Sequence, residues 1–243
     1  MMRLTAAVLL AAIATPTFVT HTAAQESPVP DRRVVSTTGA DFYGGDIGSI
    51  LETTFQICRS TCQNNPECRA LTFNTRANAC FLKSGVERVE AFDGAISARM
   101  VDTSDGTRTR AAQRRGEISF VSDELLRQAR DLAANLGGRV AAASDDVAGM
   151  REAALTAEAA GNLPLAASHL STAVAFSDAP DDWRDLARVW GLMRGENSSD
   201  RRRLHRDALS AAINAYLRAD GDAGRATALA ELANRLEATN RGR

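Results

Sequence analysis

The pattern of apolar and polar residues changes character about halfway along the chain. In the first half, short segments alternate between apolar and polar residues, which is the period of a half-buried β-strand. Four segments have this pattern: VVSTT from Val34, ALTFN from Ala70, ACFLKSG from Ala79 and GAISARMV from Gly94. The sequence therefore predicts a small sheet built from these segments.

One helix is predicted between the first and second of these strands. Its apolar face is made by Ile50, Leu51, Phe55, Cys58 and Cys62. The glycine-rich segment YGGDIGS precedes it as a turn, and Ser49 is of the residue type that caps a helix N-terminus. Pro66 disfavours helical backbone at Asn65, so the helix ends in the segment QNNPEC.

The second half, residues 121–243, is rich in alanine and has apolar residues at helical spacing. A first helix is predicted to begin after Ser122 and to end at Gly137–Gly138. Two further helices meet at a turn at Gly161–Asn162. The fold class that follows is α+β: a small sheet with one helix, followed by an all-α region.

Small residues in the helical region resemble those of one half of a tetratricopeptide repeat. The register is Gly161, Ala166, Leu170 and Ala173, and it recurs at Gly221, Ala226, Ala230 and Ala233. The two copies lie 60 residues apart, whereas that family repeats every 34 or so. A stack of helical hairpins and a plain helical bundle therefore stay open as alternatives.

Three other features of the helical region are assigned to structure rather than to binding. Trp183, Leu186, Ala187 and Trp190 follow helical spacing. Such a stripe is more typical of a core than of a partner anchor. The basic run DRRRLHRD, residues 200–207, is more typical of a solvated helix face than of a site for an acidic partner. His169 lies beside an apolar helix face, so a structural role is expected.

The segments that flank the two halves have their own predictions. Residues 1–24 are predicted to be a signal peptide, because Arg3 precedes a short apolar run and small residues precede Gln25. An uncleaved anchor is the alternative, but the run is short for a membrane span. Residues 25–31 form a leader. The polar residues 102–120 are predicted to be a linker that lets the two halves unfold separately.

Four cysteines lie at positions 58, 62, 68 and 80. Disulfides persist in exported proteins, and four cysteines allow three pairings. The nested pairing of Cys58 with Cys80 and Cys62 with Cys68 is expected, since it fastens the helix to a strand and pins the following turn. In a domain of about 70 residues, bonds worth about 2–4 kcal/mol each are a large share of the stability. The alternative is a zinc site, but the spacing matches no paired C-x2-C pattern.

The stretch CRALTFNTRANACFLKSG, with the two helix cysteines before it, resembles the PAN/Apple domain family. The resemblance covers about residues 32–101. It implies a disulfide-linked sheet that cradles one helix and binds a protein or a carbohydrate. The family has no catalytic residues to carry over.

A narrower resemblance concerns the segments RRVVSTTGADFYGGDIGSILETTFQICRSTC and GAISARMV. They look like the N-terminal PAN module of bacterial alpha-2-macroglobulin family proteins, in which an alanine-rich helical stretch and then macroglobulin domains follow. The resemblance implies a part of a protease inhibitor, with macroglobulin domains encoded downstream as a further partner. This chain has no macroglobulin domain and no C-x-E-Q thioester motif, so a fragment, a split gene or a stand-alone adaptor are the possibilities.

Composition and motifs add little chemistry. Cleavage after residue 24 leaves 28 basic and 30 acidic residues, so no general attraction to nucleic acid is expected. Arginine and alanine richness favours a bacterial source, and export then means the periplasm or the medium. No catalytic, phosphate-binding or metal-ligand motif stands out, so neither enzymatic activity, a cofactor nor a metal is predicted. Asp41, Tyr43 and Asp46 are the candidate binding residues, for a sugar or calcium, with stabilisation of the turn as the alternative.

Overall fold

The computed structural model describes residues 27–136 and 146–241. The predicted signal peptide and the predicted helix end at Gly137–Gly138 lie outside these residues. Within them the sheet has the strands β1 (Arg32–Tyr43), β2 (Asp46–Ile50), β3 (Ala70–Asn74), β4 (Ala79–Lys83) and β5 (Arg88–Asp102). The α-helices are α1 (Phe55–Asn64), α2 (Asp105–Arg114), α3 (Asp123–Ala134), α4 (Val147–Ala159), α5 (Leu163–Ser177), α6 (Pro180–Leu192), α7 (Ser198–Arg218) and α8 (Gly221–Arg241).

The strands form one antiparallel sheet in the order β1-β5-β3-β4-β2. The predicted α+β class is confirmed, with one helix on this sheet and a helical region after it. The alternation of apolar and polar residues explains the strands β3, β4 and β5, whose residues Leu71, Cys80 and Ala98, respectively, face a common core. The strands β1 and β2 lie at opposite edges of the sheet, although only two residues separate them in sequence.

A break in the β1–β5 ladder lets β1 cross the sheet towards the edge where β2 lies. Thr38 pairs with Ile96, but Ala40 pairs with Ala91, so residues 92–95 bulge out of the ladder. Two buried hydroxyls of the inner strands take up the freed backbone groups. The backbone N–H of Phe42 donates to Thr72 Oγ1 at 3.0 Å, and Ser97 Oγ donates to the carbonyl oxygen of Ala40 at 2.8 Å. The last part of β1 thereby lies against β3, and Gly44–Gly45 carries the chain to β2.

The start of α1 differs from the prediction. Ser49 is not a helix cap but pairs with Phe81 in the β2–β4 ladder. The helix starts at Phe55, where the side chain of Thr54 accepts a hydrogen bond from the backbone N–H of Ile57. Glu52 has a φ of 51°, in the left-handed region, which interrupts any helix that begins at Ile50.

Both ends of α1 are fastened to the sheet. Disulfides join Cys58 of the helix to Cys80 of β4 and Cys62 to Cys68 in the turn after the helix. At the C-terminus, the guanidinium of Arg32 donates to the carbonyl oxygens of Cys62, Gln63 and Asn65 at 3.2, 3.2 and 2.8 Å. A cation at this end also interacts favourably with the helix dipole. The position of α1 is therefore fixed by covalent bonds and by β1.

The predicted linker is wrong for most of its length. Residues 105–114 form α2 and residues 115–118 a 3₁₀ helix. Ala111 and Ile118 are fully buried, and Arg114 donates to the carbonyl oxygen of Tyr216 in α7 at 3.1 Å. The buried residues of α2 are only Ala111 and Arg114, so its sequence lacks the apolar periodicity on which the prediction depended.

The helical region confirms several predictions and corrects one. Ser122 caps α3, Trp183 and Leu186 are fully buried, and residues 201–203 are exposed. Ala166, Leu170 and Ala173 are also buried, as a packed hairpin requires. Their proposed counterparts in α8 are not equivalent: Ala226 and Ala230 are exposed, and α8 packs through Ala228 and Leu232 instead.

The described residues form two hydrophobic clusters, one between the sheet and α1 and the other among the later helices, and β1 contributes Val34 to the first and Val35 to the second. Val29 and Val35 of the N-terminal segment belong to the same cluster as the helix residues Val174 and Trp183. At its edge, the Asp178 carboxylate ion-pairs with two arginines from different parts of the chain, Arg33 of β1 and Arg218 of α7. The exposed fractions of these side chains are 9, 3 and 1 %. This group is called the Asp178 cluster below.

The Asp178 cluster joins β1 directly to three helices. The Arg33 guanidinium also donates to the carbonyl oxygens of Val174 and Ala175, at 3.2 and 2.9 Å. Arg218 donates to Asn214 Oδ1 at 2.6 Å, and its guanidinium lies 5.2 Å from the centre of the Trp183 ring. Burial lowers the pKa of both arginines, which shows how far this charge is removed from water.

We expect Asp178→Asn to destabilise the whole fold. The substitution leaves two buried guanidiniums without a counter-charge, which costs roughly 3 kcal/mol in the free energy of unfolding. Urea denaturation followed by circular dichroism measures this cost. Asp181→Asn is the matched control, because Asp181 makes only an exposed pair with Arg184 and its loss costs less than about 1 kcal/mol. Equal losses in the two variants would contradict a central role for the Asp178 cluster.

Candidate binding site at the turn end of the sheet

The candidate binding residues lie at one end of the sheet, where β1 passes into β2 and β4 into β5. This end, residues 40–46 together with 83–91, is called the turn end below. Its two connections run side by side: the backbone N–H of Ser84 donates to the carbonyl oxygen of Gly45, and that of Glu87 donates to the carbonyl oxygen of Tyr43. The turn end is thus a hydrogen-bonded unit.

Two glycines are required at this point of the fold. Gly44 and Gly45 have φ values of 91° and 66°, which favour glycine. A Cβ atom on Gly44 would lie 2.4 Å from the side chain of Glu87, and one on Gly45 would lie 2.9 Å from the backbone of Gly85. The glycine-rich segment seen in the sequence is therefore explained by close backbone packing, which supports turn stabilisation for the glycines themselves.

Tyr43 and Asp41 lie on the same face of β1, because they are two residues apart on one strand. Arg88 pairs with Tyr43 across the β1–β5 ladder, and its guanidinium lies 4.5 Å from the centre of the tyrosine ring. Arg88 Nε also donates to Glu90 Oε1 at 2.6 Å. The Asp41 carboxylate raises the pKa of Tyr43, so the phenol stays protonated to a higher pH than usual.

Asp46 has a different environment from the other two candidates. It lies on β2, beyond the two glycines, and its Oδ1 atom is 2.5 Å from Nζ of Lys83. The side chain of Lys83 is only 5 % exposed, whereas that of Asp46 is 60 % exposed. A buried ammonium group needs a counter-charge. Asp46 therefore has a structural task, and the structure brings together Asp41 and Tyr43 but gives Asp46 its own partner.

Sequence reasoning missed three residues of this site. Arg88 and Glu90 stand in β5 before the strand segment that was predicted, and Lys83 was treated only as part of a strand. The cation–π contact of Arg88 follows from the β1–β5 register, which is set by the bulge at residues 92–95 and has no local sequence signal. The edge strand β2 was missed as well, since its residues were assigned to a turn and to the start of the helix.

The turn end offers chemistry for recognition. The guanidinium of Arg88 lies over the ring of half-buried Tyr43 and offers hydrogen-bond donors, and the carboxylates of Asp41 and Glu90 accept hydrogen bonds. An aromatic face next to polar groups of both kinds suits sugar hydroxyls or a peptide backbone. For the calcium alternative, no three His, Cys, Asp or Glu side chains converge on a possible ion position within residues 27–136 and 146–241.

In the described part of the chain, no helix combines the length and the apolar character that crossing a bilayer requires.

We expect Asp41→Asn to lower the pKa of Tyr43, because it removes the nearest negative charge. The chain has two tyrosines, and burial raises the pKa of Tyr216 to about 12. Ultraviolet absorbance at 295 nm during an alkaline titration of a Tyr216→Phe background reports Tyr43 alone. Asp46→Asn is the control, since Asp46 is paired with Lys83 and should leave the titration of Tyr43 unchanged. Equal effects of the two substitutions would show that Asp41 is not the dominant neighbour.

Comparison with known families agrees with this architecture. A search of curated proteins finds no match to the chain. A family model does match: that of the PAN domain, over residues 33–107, which includes the sheet except its first residue, α1 and both disulfides. Residues 33–107 of this chain are therefore a PAN domain, a module that binds proteins or carbohydrates.

Proposed function

We propose that the chain is an exported binding or docking protein whose PAN domain contacts its ligand through the turn end. The observation that carries this proposal is the stacking of exposed Arg88 on half-buried Tyr43 at 4.5 Å, with Asp41 and Glu90 beside them. These groups have no evident task in the core. Their neighbours are held by backbone hydrogen bonds between two connections, so the surface is formed before a ligand arrives, which lowers the entropy cost of binding.

The helical region serves as the support of this module in our proposal. If the PAN domain were on a flexible linker, a ligand bound to it would have no fixed orientation relative to the helices. Here β1 is tied to the helices by Arg33 and by Val35, which lies in the helical hydrophobic cluster. A ligand held by the sheet would therefore be held in a fixed orientation relative to the helices, as suits docking or assembly.

Export is part of the same proposal. Two disulfides fit an oxidising compartment outside the cytoplasm. We add that residues 1–24 are a signal peptide, that the source is bacterial and that the protein works in the periplasm or the medium. N-terminal sequencing of the exported protein, with Gln25 expected as the first residue, tests this point.

A finer assignment is that the chain is the N-terminal docking part of an alpha-2-macroglobulin-like endopeptidase inhibitor. It is supported by the sequence resemblance and by the order of a PAN domain followed by an alanine-rich helical region. A macroglobulin-encoding reading frame directly downstream, whose product co-purifies with this chain, is the expected result. A downstream region without such a frame would favour the alternative, a stand-alone periplasmic adaptor.

A binding experiment tests the site itself. The exported chain is applied to a glycan array and to an array of surface proteins from the same organism. For whichever probe is retained, Tyr43→Ser combined with Arg88→Ser should weaken binding at least about tenfold, or about 1.4 kcal/mol. Arg202→Ser is the control, because Arg202 is exposed on α7 and lies far from the sheet in sequence. Full retention by the double variant, with an unchanged circular dichroism spectrum, would place the binding surface elsewhere.

A further inference from the structure

A second concave surface lies within the helical region, between the end of α6, the first half of α7 and the later part of α8. Its volume is about 530 Å³, which is within the range of small-molecule sites. No part of the PAN domain lines it. It is called the α6–α8 cavity below, and what it binds is a separate question from the ligand of the turn end.

The floor of the α6–α8 cavity is apolar. Trp190 of α6 is half-buried and lines it, together with Leu204 and Leu209 of α7, both of which belong to the buried interior. Of the two tryptophans in the chain, Trp183 is fully buried, so Trp190 is the indole that a ligand can reach. An indole beside leucine side chains suits a flat or branched apolar group.

The rim of the cavity is positively charged. Arg194, Arg201 and Arg235 line it from three different segments of the chain, and no carboxylate is among its lining residues. Arg235 lies directly over Gly191, where a Cβ atom would come within 2.8 Å of its guanidinium. Burial lowers the pKa of Arg235, and the carboxylate of Glu231 one turn earlier on α8 acts in the opposite direction.

Two arginines of this rim lack an ion pair, a state that Arg202 of α7 shares in the described residues. Most other arginines on these helices have a carboxylate partner, such as Arg188 with Glu158 and Arg203 with Asp200. In the described residues, neither Arg194 nor Arg201 makes an ion pair. Arg201 moreover stands near the N-terminus of α7, where the helix dipole disfavours a cation. Its position is unfavourable for stability and favourable for an incoming anion.

We propose that the α6–α8 cavity binds a small anionic amphiphile, a carboxylate or sulfonate on an apolar body of one or two rings. The apolar body contacts Trp190 and the leucine floor, and the anionic group lies between Arg194, Arg201 and Arg235. Burial of the ligand's apolar body against the floor and charge-assisted hydrogen bonds from the rim arginines to its anionic group would both favour binding. A concave site of this size has room for one such molecule, whereas an acidic peptide would need an extended groove.

The test uses two dyes that differ mainly in charge. The probe 8-anilinonaphthalene-1-sulfonate carries an anionic group on an aromatic body, and N-phenyl-1-naphthylamine is its neutral relative. With the full exported chain, the sulfonate should bind saturably at one site, quench tryptophan emission and bind at least about tenfold more tightly than the neutral dye. Added salt should weaken the binding of the sulfonate.

Two neighbouring substitutions locate the site. Arg201→Gln should raise the dissociation constant of the sulfonate about tenfold, because one charge-assisted contact is lost. Arg202→Gln is the matched control, since Arg202 is also exposed but does not line the cavity. Equal constants for the two variants, or equal binding of the two dyes, would overturn the proposal. So would failure of the sulfonate to bind while the peptide Asp-Glu-Phe-Asp-Glu binds, since the site would then be a peptide-docking surface.

Discussion

The structure depends on one buried carboxylate, that of Asp178, which lies between the guanidiniums of Arg33 and Arg218. Arg33 comes from the first strand of the PAN domain and Arg218 from the end of the longest buried helix face, so a single acidic side chain neutralises charges from both halves. Two cations and one anion leave a net positive charge out of water. Backbone carbonyls and Asn214 accept further hydrogen bonds from the two guanidiniums, but Nε of Arg33 and one terminal nitrogen of Arg218 stay without an acceptor, which adds to the cost of burying this charge.

This contact changes how the two halves are understood. From the sequence they are two modules with a polar linker. In the structure, α2 and the 3₁₀ helix occupy the linker, and Val29 and Val35 extend the helical core beneath β1. The PAN domain therefore presents its turn end from a fixed position, and the α6–α8 cavity belongs to the same body. Ligands at the turn end and in the α6–α8 cavity would then bind to one rigid body rather than to two domains joined by a flexible linker.

The elements that were predictable from sequence are those whose signals are local. The strands β3 and β4 follow from alternation, the cap of α3 from Ser122, and the buried position of Trp183 from helical spacing. The start of α1 was not predictable, because Ile50 and Leu51 fit a helical face equally well and only the β2–β4 pairing and the left-handed Glu52 exclude it. Asp41 and Tyr43 were found through the glycines beside them. Arg88, Arg33 and Asp178 were not, because Tyr43, Asp178 and Arg218, with which they respectively interact, lie 40 or more residues away in sequence.

The central claim, that the PAN domain and the helices are one cooperative unit, is tested by hydrogen exchange with mass spectrometry across a urea series. Peptides covering residues 70–83 report the sheet, and peptides covering residues 204–217 report α7. Coincident midpoints for the two sets are the predicted result, since β1 is joined to the helices by the Asp178 cluster and by Val35, which lies in the helical hydrophobic cluster. Exchange of the sheet peptides at a clearly lower urea concentration, while α7 stays protected, would contradict it.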